Sequence, residues 1–115
     1  MSEKKDITHL LERLEAFEDR FELRFNAMSA FIDEFNEVVI MAELHPREGM
    51  QLKQPVLVSF DGYDAAGRIV AGTACHIKPD KFYGYYSFIA RFKTPVAGLT
   101  QIRMFPQPWN PKPWE

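Results

Sequence analysis

Six short runs between residues 21 and 105 alternate apolar with polar side chains, and clusters of turn-forming residues separate them. A strand turns successive side chains to opposite faces, so a chain patterned this way buries one face of each run and wets the other as β-structure. "FELRF" sets Phe21, Leu23 and Phe25 against Glu22 and Arg24, "EVVIMAEL" is apolar and β-branched, and "PVLVSFDGY" aligns Val56, Val58 and Phe60. "GRIVAGTACHI" reads as a strand carrying glycines. "YGYYSFIARF" alternates Tyr86, Phe88, Ala90 and Phe92, and "TQIRMF" sets Ile102 and Met104 against Gln101 and Arg103. The breaks are "DEFNE", "HPREG", "DAAG", "KPDK" and "TPVAG". Short strands joined by turns imply an antiparallel β-sandwich, because parallel neighbours need helical crossovers. Over 21–35 a helical alternative stays open, since Phe25, Met28, Ile32 and Phe35 also fall at helical spacing.

Both flanks of this core region differ from it. Residues 1–20 are expected to form an amphipathic α-helix: Ile7, Leu10, Leu14, Phe17 and Phe21 recur at spacings of three and four, with Asp6 as its N-cap. The stripe is narrow and seam-like, and a helix of about two heptads is marginal alone, so it must be buried against its own domain or another copy. Two sheets already close a sandwich core, which leaves such a helix no evident vacancy. Leu10, Leu14 and Phe17 are therefore candidate partner contacts in a coiled-coil-like self-association. At the other end, residues 106–115, "PQPWNPKPWE", form a tandem pentad holding both tryptophans, Trp109 and Trp114. Its prolines favour an extended polyproline II frame. Two readings stand: an arm that docks on a partner, or a strap laid over its own sheet edge. The expected organisation is thus a helix at 1–20, a β domain at 21–105 and a tail at 106–115.

Composition limits the function classes. Across 115 residues there are 14 basic and 16 acidic side chains, a net charge of −2, so no global field draws nucleic acid or an anionic membrane. The excess of acid lies in the first twenty residues. A single cysteine, Cys75, allows no internal disulfide, and no Cys/His cluster suggests zinc. Without an apolar stretch behind the first basic residues, a secretory signal is not expected, and the expected location is cytoplasmic.

The stretch "VSFDGYDAAGRIVAG" resembles the small immunoglobulin-like sandwich domains named for the pattern FxLYD: Phe60, Tyr63 and Asp64 match, and Gly62 stands where the pattern has Leu. The resemblance implies an immunoglobulin-like sandwich with an interaction role and no catalytic residue. The residues themselves supply a turn, in which Asp64 accepts from the backbone two residues on and Gly67 takes a positive φ.

Other candidate sites have plain readings. Asp61 and Asp64 provide too few oxygens for calcium, so no metal or other cofactor is expected. His45 sits in a polar loop beside Glu43, and Cys75 and His76 point to opposite faces of a strand. Tyr83 and Tyr85 share one strand face and are candidate ligand-binding residues. The expectation is a non-enzymatic protein-interaction or assembly module that uses the helix and Trp109 and Trp114 as contacts. The alternative is a small-ligand or carbohydrate-binding domain that uses Tyr83 and Tyr85.

Overall fold

The computed structural model describes residues 4–82, 84–95 and 98–109, and eight strands lie among them. These are β1 (Lys5–Asp6), β2 (Leu11–Arg13), β3 (Leu23–Ile32), β4 (Glu37–Pro46), β5 (Val56–Tyr63), β6 (Ile69–Ile77), β7 (Tyr86–Lys93) and β8 (Gln101–Pro108), with one helix, α1 (Glu15–Arg20). They form two four-stranded sheets, in the orders β1-β3-β4-β7 and β2-β8-β5-β6. Residues 23–32 are a strand, which resolves the open choice in favour of the alternating pattern.

The inward half of the alternation fills one core between the sheets. Val38, Ile40, Ala42 and Leu44 of β4 meet Val56, Val58 and Phe60 of β5, while β7 adds Phe88 and Ala90, and β8 adds Ile102 and Met104. Phe88 ties the layers, its ring centroid 6.1 Å from that of Phe25 in its own sheet and 5.9 Å from that of Phe60 in the other. Burying each such ring is worth roughly 1.5–3 kcal/mol, so register is strongly enforced. In the turn from β5 to β6, Asp64 Oδ1 accepts from the amides of Ala66 and Arg68, each at 2.9 Å, and Gly67 has φ of +79°. Gly62 leaves room over the core that Leu99 occupies, since a Cβ there would lie 2.8 Å from Leu99 Cδ1.

The expected helix over 1–20 is confined to the six residues of α1. Among the described residues upstream of it, β1 and β2 flank a 3-10 turn, Thr8–Leu10. The apolar stripe is buried as expected of a stripe, but along a broken path: Ile7 is in the core, and Leu10 and Phe21 pack against it. Its backbone finds tertiary partners instead of helical ones. Ile7 N donates to Ala30 O at 2.8 Å and Leu14 N to Met104 O at 3.3 Å, while Asp6 Oδ1 accepts locally from Thr8 N at 2.9 Å. Pairing with two sheet edges outcompetes a local helix that is marginal alone.

The vacancy this segment fills is an open edge. β1 pairs only with Phe31 and Ile32, so the first half of β3 has β4 on one side and no strand on the other. There the Phe25 amide donates to Glu18 Oε1 at 3.1 Å, a side chain standing in for a missing strand. Glu18 is fully buried and is held by Arg13 through Nε at 3.0 Å and Nη2 at 2.5 Å. That bonding raises the Arg13 pKa further above its ordinary value.

Two further expectations are corrected at β8. Not every pair is antiparallel: β2 runs parallel to β8, Leu11 opposite Ile102. Some ninety residues separate them, so the rest of the fold serves as the crossover that parallel strands require. Nor does an extended tail begin at residue 106, because Pro106 and Pro108 belong to β8, opposite Val58 and Val56, and Pro106 is fully buried. β2 reaches only as far as Met104, so these prolines lie where the outer edge of β8 asks for no amide.

Candidate functional site

The residues of β4 that do not face the core are Glu37, Val39, Met41, Glu43 and His45. Register places Phe31 of β3 and Arg91 of β7 beside Val39, Ser29 and Ile89 beside Met41, and Ser87 beside Glu43. Alternation would reserve these positions for polar side chains, yet Met41 is 40% exposed and Ile89 52%. The cross-strand pair is therefore an uncovered apolar centre on the outward face of the first sheet, bordered by Glu43, Ser87 and Ser29.

At one end of this face an aromatic platform is fixed. Tyr85, half exposed, stacks on the His45 ring at 5.2 Å between centroids and 8° between planes. His45 Nε2 lies 3.0 Å from Glu43 Oε1, so the imidazole is held by an edge contact and a face contact together. On the opposite side β3 bulges between Asn26 and Ser29, with Ala27 at φ of +53°. The bulge and the pair Met41 and Ile89 border a groove of about 590 Å³ that extends past Tyr86 to Cys75 of the adjacent β6. Burial pushes the Cys75 thiol pKa up, which keeps it protonated and poorly nucleophilic.

The sequence-derived site residues are not brought together here. Leu10 and Leu14 are half-buried at the open edge of the fold, and Phe17 packs on Phe105 at 5.5 Å with the Arg20 guanidinium over its ring. Trp109 lies on the outward side of the second sheet, its ring 4.4 Å from His76 and 5.8 Å from Lys78 Nζ, and its amide donates to Pro55 O at 3.4 Å. Only Tyr85 stands on the groove's sheet; Tyr83 and Trp114 lie outside the described residues. Sequence reasoning missed Met41 and Ile89. Their signal was apolar side chains at outward parity, in "VVIMAEL" and "YYSFIARF".

Among the described residues no three His, Cys, Asp or Glu side chains gather as a metal-ligand set, and no helix is long and apolar enough to cross a membrane. Comparison with protein-family models, curated proteins and solved structures finds no match.

Proposed function

We propose that this chain is a non-enzymatic interaction module whose contact surface is the outward face of β4 and β7. The observation that carries the reading is the exposed Met41–Ile89 pair beside the Tyr85–His45 stack, an apolar centre with an aromatic anchor and a polar border. Leu10, Phe17 and Trp109 apply their apolar surface to their own fold, so the contact role passes from the flanks to this face.

An immunoglobulin-like sandwich is part of the proposal. β4 pairs with β3 and β7, and β5 with β6 and β8. Taking β3 to β8 as strands A, B, C, C′, E and F reproduces the pairings A-B-E and C′-C-F, with β2 beside β8 where strand G would run. The turn at Asp64 and Gly67 supports the same assignment. A cytoplasmic setting belongs to the same proposal.

The test compares the parent chain with Ile89→Glu as bait in affinity capture, with sedimentation of each alone. Loss of captured partners, or of self-association, by the variant at unchanged circular dichroism is the expected result; identical behaviour of the two contradicts it. The flat, half-exposed Tyr85 ring favours a second reading, a carbohydrate face, since aromatic rings stack on sugars. Tyr85→Ala should then abolish glycan-array binding while leaving protein capture unaffected.

A further inference from the structure

The sandwich has one side whose strand edges are blunted and one whose edges are bare. On the first, β1 and the Glu18 carboxylate cap β3, while β2, Pro106 and Pro108 blunt β8. On the second lie β6 and β7, each with a hydrogen-bonded strand on one side only among the described residues. β7 runs for 8 residues without a proline. One bond fixes the phase of its backbone: Thr94 N donates to Asn36 O at 3.0 Å, so by alternation Phe92, Ala90, Phe88 and Tyr86 bond to β4. Ser87, Ile89, Arg91 and Lys93 therefore turn their amides and carbonyls to the bare edge. The same residues carry their side chains on the outward face.

We propose that this edge pairs with β7 of a second copy, antiparallel about a two-fold axis, and joins the two first sheets into one. Bonding must run between edge-directed residues, which leaves few registers. Arg91 opposite Arg91 would set like charges together. Ile89 opposite Ile89 instead continues the exposed Met41–Ile89 pair into its symmetry mate, so a row Met41, Ile89, Ile89, Met41 crosses the junction. The same register sets Arg91 against the second copy's Ser87, beside which stands Glu43, and Lys93 against its Tyr85. The basic end of each strand thus meets the acidic and aromatic end of the other. Arg91 holds Asp33 only at 4.0 Å and is more than half exposed, so its guanidinium is free to turn to Glu43. Alongside, β6 carries Ala71, Gly72, Thr73, Ala74 and Cys75, small side chains that leave room for a neighbouring strand. The inference rests on the reading of the β4 and β7 face as the contact surface, and it names the occupant.

Sedimentation of the full chain should show a mass that rises from monomer to dimer with concentration. Ser87→Pro removes an edge amide that β4 does not use, and should weaken the dimer several-fold at unchanged circular dichroism. Arg91→Glu should weaken it likewise, and adding Glu43→Arg should restore it. In a Cys75→Ser background, Ile89→Cys should crosslink on mild oxidation, because residues of a bonded antiparallel pair stand about 5.5 Å apart at Cα, within disulfide reach. Arg91→Cys should crosslink far more slowly. A chain that is monomeric at every concentration overturns the proposal, as does a dimer indifferent to Ser87→Pro or one that crosslinks faster through Arg91→Cys. If such a monomer still captures another protein through Ile89, the second copy is wrong and the contact face stands. If Ile89→Glu changes neither mass nor capture, the contact face fails with it.

Discussion

The two sheets are alike on their inward sides and differ on their outward ones. On the second sheet every outward ring has a cover from elsewhere in the chain: Phe105 has Phe17, Tyr63 has the Arg103 guanidinium at 4.9 Å, and His76 has Trp109. On the first sheet such cover stops short. Lys4 lies over Phe31 at 4.8 Å and Val39 is buried, but one pair further along β4, Met41 and Ile89 meet nothing comparable. Inward burial follows from the period of a strand, which both sheets obey. Outward burial depends on where the flanking segments run: α1 and Trp109 cover the second sheet, whereas β1 pairs only with the end of β3 on the first and stops short of Met41 and Ile89. The outward rings of the second sheet thus serve folding, whereas Met41 and Ile89 on the first, like Ile69 at the start of β6, keep their apolar surface exposed.

The strongest way to break this contrast is to release the helix. Glu18→Ala leaves Arg13 without its buried partner and the Phe25 amide without an acceptor, at a cost of roughly 3 kcal/mol. Urea unfolding should show the loss, and the released α1 should bare Phe105, giving new binding of an apolar dye. A smaller effect is expected at the other flank. Trp109→Ala should lower stability by about 1 kcal/mol, because a half-covered ring loses its contacts with His76 and Lys78. A thermal melt identical to the parent's would leave the second sheet's face less covered than described.

The smallest effect is electrostatic and confined to the second sheet's hairpin. Amides of Arg68 and Ala66 bonded to Asp64 hold its carboxyl below the usual aspartate range. A depressed folded pKa contributes stability that is complete above the ordinary value near about pH 4 and fades as pH falls through the folded one. Melting temperature should therefore fall more steeply with acid in the parent than in Asp64→Asn. Equal slopes would remove Asp64 from the acid response.

How much of this was legible depends on whether a residue's fate is set locally. Val56, Val58, Phe60, Ile102 and Met104 are buried where strict alternation puts them, and Asp64 and Gly67 turn the chain where their chemistry requires. The path of residues 5–20 was not legible, because spacings of three and four suit a helix as well as a broken strap whose apolar residues reach the same core. What decides it is an unpaired amide at Phe25, a feature of the assembled sheet. Pro106 misled for a related reason: proline excludes a central strand but not the length of β8 beyond Met104, and only pairing shows where β2 stops. Of the contact face, Tyr85 was legible as an outward aromatic; its support by His45 required the register of β4 against β7.

Different roles for the two outward faces are tested most directly by paired urea unfolding of Phe105→Ala and Ile89→Ala. Phe105→Ala is expected to lose about 2 kcal/mol with its Phe17 contact, and Ile89→Ala to stay within about 0.5 kcal/mol of the parent, both at unchanged m-value. Equal losses, or a larger loss at Ile89, would make the first sheet's face part of the folded structure's own support and contradict its assignment as the contact surface.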